Sequence, residues 1–591
     1  MEKIADMLKK LTKPDVSVDL KDTDFAKLDL KDKEFHPDYF IFQVEALKQI
    51  RQALDNPQFY KHFIIAGDEG AGKRSSTTSL LQKEYSTKNK FPKFYYFRKS
   101  NSIVEDPEYK EGLTPLFDPD AETTPIIYDP TPNTMSLVGI PTEKKYHPGN
   151  LIKATGGFLI LPITKLVQEP VVYDLLKSCL LTEKIDFINL PELNFFQSLD
   201  RTLPQFPINV RVILIGEEHM YEQLLKRDNN LHEVFKMKID LEYEAELNKK
   251  NISRFSGLVD ALSLKDYPAP SLSAKKRLLE EALKLNESKS KFSLNVTDIK
   301  TIYEEAMVLS KAKKDVKGAS ITDADIDAAI ANLEKRDSLP KKKYYEDLKS
   351  GMYNMTVSGK RLGRINGLSI FTPYSTHQEY GQVSVISSRA LMGSGNFINI
   401  EREVNLSGDV HDKGVFILQS YLKGLFANFS SFAVDISILF EQSHSIVDGD
   451  SATVAELIAT LSALSGYEIP SNVAITGSMS QYGETMPVGA INQKVEAWYS
   501  ISKLLGSPKD VFYVYIPTAN AKDLVLSSEI IKAIQDNKFH IVSFSHVTDV
   551  VPEILKMPMG KIEKDGKYTP DSILRRIEDR LEKKKEVEKD S

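Results

Sequence analysis

The stretch VDGDSATVAEL, residues 447 to 457, places a serine hydroxyl between acidic residues at the start of a predicted helix. A hydroxyl in this position can accept hydrogen bonds from the free N–H groups of the helix start, which is a frequent structural role of serine. It can also attack a carbonyl carbon if a neighbouring base removes its proton. Ser451 is therefore either a helix cap or a nucleophile, and the choice depends on a base.

A lysine further along the chain is the candidate base. A second predicted helix carries an apolar stripe of Val488, Ile491, Val495 and Trp498, with Lys494 on its border. A lysine at such a border usually extends its amine to water. If the amine is held in an apolar cleft instead, desolvation lowers its pKa, and the neutral amine can take a proton from a serine. Ser451 and Lys494 thus form a candidate Ser–Lys dyad.

Other residue types indicate no further reaction. His444 would allow a Ser–His pair, but a single histidine at a predicted strand–loop junction more often has a structural role. Cys179 is the one cysteine of the chain, which excludes an intrachain disulfide and a zinc site built from several thiolates. We expect no metal site.

A glycine-rich loop near the N-terminus resembles a phosphate-binding loop but departs from its pattern. In HFIIAGDEGAGKRSSTTSLL the order is strand, loop and helix, and Lys73 follows the glycines. The next residue should carry the hydroxyl that binds magnesium, yet Arg74 stands there and Ser75 comes one position late. A later apolar run ends in Pro162 and Ile163, where hydrolysis needs acidic residues. We expect a nucleotide fold kept as a scaffold, with no bound nucleotide or other cofactor.

The surrounding pattern predicts a multidomain protein. Three apolar runs, HFIIA, GGFLILPIT and VRVILIG, are typical of buried parallel strands, and residues 246 to 345 have helical periodicity. After a polar joint, five segments alternate like strands: GQVSVISSRAL, FINIEREV, SFAVDISILFEQ, VAITGSMS and VFYVYIP. Two helices interrupt them, at about 451 to 465 and 488 to 505. The first is predicted to be amphipathic, and the two candidate dyad residues lie on these helices.

Length and composition limit the function classes. A chain of 591 residues exceeds what one core usually organises, and a hydrophobic content of 41% is that of a globular protein. The net charge of −6 is unfavourable for a nucleic-acid partner. The charged N-terminus lacks the apolar core of a signal peptide, and no run approaches the roughly 18 apolar residues of a membrane span. We expect a cytoplasmic protein without a membrane partner.

Three segments of the third region closely resemble the proteolytic domain of the Lon serine peptidase family. They are DGDSA, which contains Ser451, ITGS, which contains Thr476 and Gly477, and VGAINQK, which ends at Lys494. The separation between the serine and the lysine is also that of the family. The resemblance implies that Ser451 is the nucleophile, that Lys494 is the base, and that Thr476 orients the lysine.

The resemblance also implies the architecture and the partners. Lon-related proteases join the peptidase to an AAA+ module, so we expect a doubly wound parallel α/β sheet, an all-helical lid and an α+β proteolytic domain. A homo-hexameric ring and unfolded protein or peptide substrates are further implications. The expected boundaries are an N-terminal extension at 1–39, the degenerate AAA+ module at 40–245, the lid at 246–345, a linker at 346–365, the proteolytic domain at 366–560 and a charged tail at 561–591.

Departures from the family pattern favour the ATP-independent branch, in which the AAA+ module survives as a scaffold. Besides Arg74, Pro162 and Ile163, the chain has His232 and Asn295 where many relatives carry arginines that act on the phosphates. Two alternatives stay open. The chain could be an ATP-regulated Lon-type protease that still binds nucleotide, or a non-catalytic ring that holds unfolded chains.

Overall fold

The computed structural model describes residues 8–25, 41–86, 94–97, 102–105, 113–115, 123–141, 146–185, 205–311, 319–336, 338–372, 379–426, 434–443 and 445–590. The chain forms two compact units. The α/β–lid unit comprises Lys21–Ala282 and Ser293–Ile326. The Ser–Lys unit comprises Met1–Leu20, Leu283–Phe292 and Asp327–Ser591, and it contains both candidate dyad residues.

A five-stranded sheet, parallel throughout, forms the centre of the α/β–lid unit. Its three central strands are buried except at Pro162 and Arg211, which are half-buried strand ends, because helices cover both faces. Ile64 contributes to the core on one face and its neighbour Ile65 to the core on the other, as strand geometry requires. The three strands predicted from apolar runs are confirmed and lie inside the sheet. The spatial order is Phe235–Asp240, His62–Ala66, Arg211–Gly216, Phe158–Pro162 and Ile126–Tyr128.

Helices and short strands complete this unit, and the predicted helical character of the lid region is confirmed. The helices are Val44–Asp55, Lys73–Leu80, Thr134–Val138, Asn150–Lys153, Ile163–Gln168, Pro170–Thr182, Glu218–Arg227, Leu231–Val234, Lys249–Ala261, Leu272–Leu285, Val296–Ser310 and Asp323–Arg336. The short strands are Phe94–Phe97, Ser102–Glu105, Leu113–Pro115, Gly139–Pro141, Tyr146–Pro148, Lys184–Ile185, Phe206–Pro207, Glu244–Glu246, Ala269–Pro270 and Ser320–Ile321. The strand Lys291–Ser293 has its first two residues in the Ser–Lys unit and its last residue in this unit. The helices Leu272–Leu285 and Asp323–Arg336 continue from this unit into the Ser–Lys unit.

An eight-stranded mixed sheet forms the centre of the Ser–Lys unit. This unit has two large apolar cores. One contains residues of the helix Thr453–Ser465, which follows Ser451, and the other contains residues of the helix Ile491–Leu505, which carries Lys494. The strand order is Leu8–Lys10, Phe539–Phe544, Phe512–Pro517, Val473–Ile475, Arg364–Phe371, Tyr380–Met392, Val434–Phe440 and Phe397–Asn399. The helices are Lys13–Val16, Leu339–Ser350, Ile400–Glu403, Asp409–Leu425, Thr453–Ser465, Ile491–Leu505, Ser528–Gln535, Val547–Leu555 and Ile573–Asp590. Short strand pairs join Lys360–Arg361 to Ile469–Pro470 and Ser478–Met479 to Thr485–Met486.

Two local expectations are corrected. The segment FINIEREV is a strand only to Asn399 and then turns helical, since the buried Glu401 carboxylate accepts a 2.7 Å bond from the Phe440 amide. The helix Thr453–Ser465, called the serine helix below, is buried on nearly all sides instead of being amphipathic. Its polar residue Thr460 is satisfied inside the core by a 3.1 Å bond to Ser388. Serine and threonine can lie on the buried faces of a helix because their hydroxyl groups form hydrogen bonds inside the core.

Segments outside the expected proteolytic core contribute packed residues to the Ser–Lys unit. Leu8–Lys10 forms an antiparallel pair with Phe539–Phe544. Tyr344, near the expected linker, is buried and donates a 2.8 Å bond to the Val383 carbonyl. The helix Ile573–Asp590 buries apolar residues at helical spacing that its many charges conceal in the sequence, and these are Ile573, Leu574, Ile577 and Leu581.

None of the helices in the described part of the chain combines the length and the apolar composition that a membrane crossing needs.

Candidate functional site

Ser451 lies in the turn that precedes the serine helix. The N-cap of that helix is Ala452, so the capping position is filled by a residue without a side-chain acceptor. Gly449 has a positive φ of 91°, which lets the chain turn sharply just before the serine. Thr453 closes the turn because its amide and its hydroxyl both donate to the Asp450 carbonyl, at 3.1 and 2.7 Å. The cap role considered from the sequence is therefore not the one that Ser451 fills.

The segment after the strand Val473–Ile475 holds the serine turn from the other side. The Gly477 amide donates a 2.8 Å bond to the Ser451 carbonyl, and the Thr476 hydroxyl donates a second bond of 3.2 Å to the same oxygen. The Val454 amide in turn donates to the Gly477 carbonyl at 3.2 Å. Thr476 is fully buried. Its hydroxyl thus acts on the serine backbone, whereas the resemblance implied a bond to the lysine.

The two acidic residues beside the serine have separate partners. Asp448 accepts bonds from the amides of Gly449 and His411, at 2.8 and 3.3 Å. Asp450 accepts a 2.6 Å bond from the Ser478 hydroxyl. Asp448 therefore holds the backbone of the turn, while Asp450 ties the turn to the short strand that follows Gly477.

Lys494 lies one turn into the helix Ile491–Leu505, called the lysine helix below. The predicted apolar stripe is buried, and Trp498 at its C-terminal end donates a 3.0 Å bond to the Tyr513 carbonyl. Two buried asparagines fix the start of the helix. Asn520 exchanges 2.9 Å bonds with the amide and carbonyl of Val488, and Asn492 accepts a 2.8 Å bond from the Val525 amide. The position of the lysine is therefore set by a rigid and fully packed frame.

The environment of Lys494 favours the neutral amine. The residue is only 4% exposed, and burial lowers the pKa of its amine from 10.5 to about 8, although Glu287 and Asp450 oppose this shift. Asp450 directly precedes Ser451, and its negative charge acts on the Lys494 amine. Hydrogen bonds thus join the serine turn to the Thr476–Gly477 segment, and the electrostatic influence of Asp450 on the Lys494 amine connects the lysine with the same turn. His444 lies outside the described residues.

The side chains of the glycine loop contact other protein groups. The Lys73 amine donates 2.6 Å bonds to the carbonyls of Gly67 and Asp68, and burial lowers its pKa. The Arg74 guanidinium stacks over the Tyr128 ring at 5.2 Å. A Cβ atom on Gly70 would lie 1.9 Å from the Asn295 amide oxygen, so this part of the loop is closely covered.

The other positions singled out by the nucleotide pattern have structural roles or face water. Pro162 ends its strand and Ile163 is fully buried at the start of the next helix. Asn295 caps the helix Val296–Ser310 by accepting from the Asp298 amide, and His232 is exposed. None of these four positions carries the carboxylate or the guanidinium that phosphoryl transfer commonly uses.

Sequence reasoning missed two groups of charged residues near the site. Glu287 accepts a 2.9 Å bond from the Ala490 amide at the start of the lysine helix. Glu456 on the serine helix is completely buried, with an oxygen 3.6 Å from the His411 ring and Glu401 as a second acidic neighbour. Glu287 gave no signal because it follows a helix in an otherwise polar stretch. Glu456 could have been noticed as a charge inside a continuous apolar helix.

Comparison with known families gives three matches along the chain. Residues 122–242 match the LonB-like AAA domain, and residues 271–336 match the LID domain of the archaeal LonB AAA+ ATPase. Residues 355–557 match the C-terminal proteolytic domain of Lon (S16) proteases. The match to the AAA domain begins after the glycine loop.

Individual relatives agree with these matches. A Lon protease homolog of Escherichia coli (strain K12) is 30% identical over 417 residues, which are 69% of this chain and 68% of that protein. A Lon protease homolog of Haemophilus influenzae is 26% identical over 444 residues, 75% of this chain and 72% of that protein. An archaeal Lon protease of Thermoplasma acidophilum is 27% identical over 299 residues, 49% of this chain and 41% of that protein.

The fold and the matched domains define a class of protein in which an AAA-type module with a helical lid is joined to a serine-peptidase domain. Within that class, this chain belongs to the Lon protease family.

Proposed function

We propose that the chain is a serine endopeptidase that cleaves unfolded proteins with Ser451 as nucleophile and Lys494 as base. The observation that carries the proposal is the state of Lys494. Its amine is buried on a rigid helix, and its pKa of about 8 leaves a useful neutral fraction at neutral pH. A lysine that served only to cover apolar surface would extend its amine to water.

The proposed reaction follows from these two groups. Neutral Lys494 takes the hydroxyl proton of Ser451 as Oγ bonds to the peptide carbonyl carbon, and the carbonyl oxygen becomes an oxyanion. The ammonium then gives that proton to the leaving amine as the C–N bond breaks, which leaves an acyl-enzyme. A water molecule transfers a proton to Lys494 and attacks the ester, and Ser451 regains its proton as the acid product leaves. Backbone N–H groups of the serine turn are the proposed oxyanion donors.

We further propose that peptide cleavage does not depend on ATP hydrolysis. In a working phosphate-binding loop the lysine amine reaches the phosphates. Here the Lys73 amine is bonded to two carbonyls of its own loop, and Arg74 occupies the position of the magnesium-binding hydroxyl. Without ATP-driven pulling, chains that are already unfolded are the substrates that can reach a secluded site. A cytoplasmic homo-hexamer without nucleic-acid or membrane partners is the assembly we propose from family membership.

The backbone of the glycine loop supports a second candidate function, that of an ATP-regulated protease. Gly72 has the positive φ of 74° that positions the start of the following helix, so the backbone of the loop retains a form in which amides could meet an anion. Measurable affinity for ATP, with peptide cleavage that changes on binding, would favour this candidate over the scaffold.

The deciding experiment is degradation of casein by the wild type, Ser451→Ala and Lys494→Met, each with and without Mg-ATP. The proposal requires cleavage by the wild type alone, at the same rate in both conditions. Equal activity in Ser451→Ala would refute the peptidase mechanism. Binding of casein by every variant without any cleavage would identify the ring-shaped holdase instead.

A further inference from the structure

The segment Leu283–Phe292 belongs to the Ser–Lys unit, although the helix that it completes begins in the other unit. At its turn, Glu287 has a positive φ of 47°, a conformation that usually selects glycine or asparagine after a helix. A glutamate held in this conformation needs compensating contacts, and such residues cluster at functional sites. The side chain of Glu287 reaches the start of the lysine helix.

The contact is an anion at a helix N-terminus. Glu287 Oε2 accepts a 2.9 Å bond from the amide of Ala490, the N-cap residue, which also has a positive φ, of 56°. Burial raises the pKa of the Glu287 carboxyl, while the amides of Ala490, Ile491 and Asn492 and the charge of Lys494 act in the opposite direction and favour the carboxylate. The first amides of a helix have no partner inside the helix, and a negative charge there is favoured by the helix dipole. Glu287 thus supplies the side-chain acceptor that Ala490 itself lacks.

Two further contacts hold the segment in place on the same unit. Lys284 forms an ion pair with Glu496 of the lysine helix at 2.9 Å. Lys289 donates to the carbonyl of Asp15 and, at 3.4 Å, to that of Ala521. The segment is therefore anchored by a lysine on each side of Glu287, which keeps the backbone of Glu287 next to the start of the lysine helix.

We propose that Glu287 is a positioning residue of the peptidase site, whose carboxylate fixes the first turn of the lysine helix and serves as the counter-charge of Lys494. The inference rests on the proposed function, since it assigns a role relative to the base of that reaction. Two carboxylates oppose the loss of the Lys494 proton, and Glu287 is the larger influence, ahead of Asp450. The negative charge of Glu287 therefore raises the pH above which the Lys494 amine is neutral. The same carboxylate orders the first turn of the lysine helix.

The test separates charge from structure with two substitutions. Glu287→Gln keeps an oxygen that can accept the Ala490 bond but removes the charge. We expect the acid limb of the casein kcat/KM profile to move to lower pH by roughly half a unit to one unit, with the plateau unchanged within about twofold. Glu287→Ala also removes the bond, so the same shift should come with a plateau about five- to tenfold lower.

Glu496→Gln is the matched control, because it removes the negative charge from another contact of the same segment on the same helix and likewise keeps an acceptor oxygen. Its profile should overlay that of the wild type. An acid limb that stays in place in Glu287→Gln, or that moves equally in Glu496→Gln, would overturn the proposal.

A second measurement does not depend on peptidase activity. In the Ser451→Ala background, the pKa of Lys494 is obtained from the pH dependence of its trace acetylation by acetic anhydride, followed by mass spectrometry. Glu287→Gln should lower this pKa by the same amount, and an unchanged value would overturn the inference even if the enzyme cleaves casein. Failure of the proposed function would appear separately, as casein cleavage that survives Ser451→Ala.

Discussion

The amide of Gly477 donates a 2.8 Å hydrogen bond to the carbonyl oxygen of Ser451, and the hydroxyl of Thr476 donates to the same atom. Two consecutive residues after a central strand thus fix the backbone of the proposed nucleophile. A carbonyl that accepts two bonds cannot rotate freely, so the direction of the serine side chain is constrained by a strand rather than by a loop alone.

Thr476→Val tests this constraint. Valine has nearly the same shape but lacks the hydroxyl donor, so the serine turn keeps only the Gly477 bond. The loss of one buried hydrogen bond, about 1 kcal/mol, should lower kcat for casein about three- to tenfold with little change in KM. Thr460→Val is the control, because Thr460 is equally buried but bonds to Ser388 in the core. Equal losses in both variants would mean that the effect is general destabilisation.

The proposed base predicts a specific pH profile. Since the pKa of Lys494 is about 8, kcat/KM for casein should rise with pH and level off above that value. Lys494→Arg should abolish cleavage at every pH, because a guanidinium cannot release its proton in this range. Lys503→Met, on the exposed side of the same helix and in contact with Glu529, should behave like the wild type. Residual activity of Lys494→Arg with an unchanged profile would argue against a lysine base.

Lys73→Met distinguishes a scaffold from a nucleotide site. Because Lys73 Nζ is bonded to two loop carbonyls, its loss should lower Tm by about 2 to 4 °C and leave the casein rate unchanged. The exposed Lys226→Met should change neither quantity. Stimulation of the wild type by Mg-ATP that disappears in Lys73→Met would show instead that the loop binds nucleotide.

Glu456 predicts a stability that falls as pH rises from about 4.5 to about 8. Burial, reinforced by Glu401, raises its pKa from 4.5 to about 8, so the folded protein retains a proton that the unfolded chain releases. The free energy of unfolding therefore falls as pH rises through this range and levels off above about 8. Burial lowers the pKa of the neighbouring His411, which acts in the opposite direction and only at acid pH.

Glu456→Gln is neutral at every pH and should remove this part of the slope. Urea unfolding at pH 7 and pH 9 should show a smaller decrease in the variant than in the wild type, with the variant the more stable protein at pH 9. Exposed Glu403→Gln should keep the wild-type slope. Parallel curves for the wild type and Glu456→Gln would show that Glu456 is ionised in the folded state.

Periodicity and motif together predicted the parts of the fold whose residues are apolar in long runs. The strands His62–Ala66, Phe158–Pro162 and Arg211–Gly216 were predicted because central parallel strands are buried on both faces. The apolar stripe that ends at Trp498 was predicted from its helical spacing. The edge strand Phe235–Asp240 alternates with lysines, and Leu8–Lys10 has only three residues, so neither carries a signal of its own.

The candidate site shows a similar division. Ser451 and Lys494 were found from their types and neighbours, and their roles stay a prediction until the variants are measured. The bond from Thr476 to the serine backbone and the contact between Glu287 and Ala490 join residues that are distant in the sequence. Such contacts arise from tertiary packing, and local patterns do not encode them.

The pairing of Leu8–Lys10 with Phe539–Phe544 also bears on how the enzyme is made. During translation the N-terminal strand leaves the ribosome first, while its partner is still to be synthesised. The sheet that supports the serine turn therefore acquires its last edge late in translation, after the α/β–lid unit has emerged. A growing chain therefore lacks the complete sheet around the serine turn until the segment Phe539–Phe544 has been synthesised.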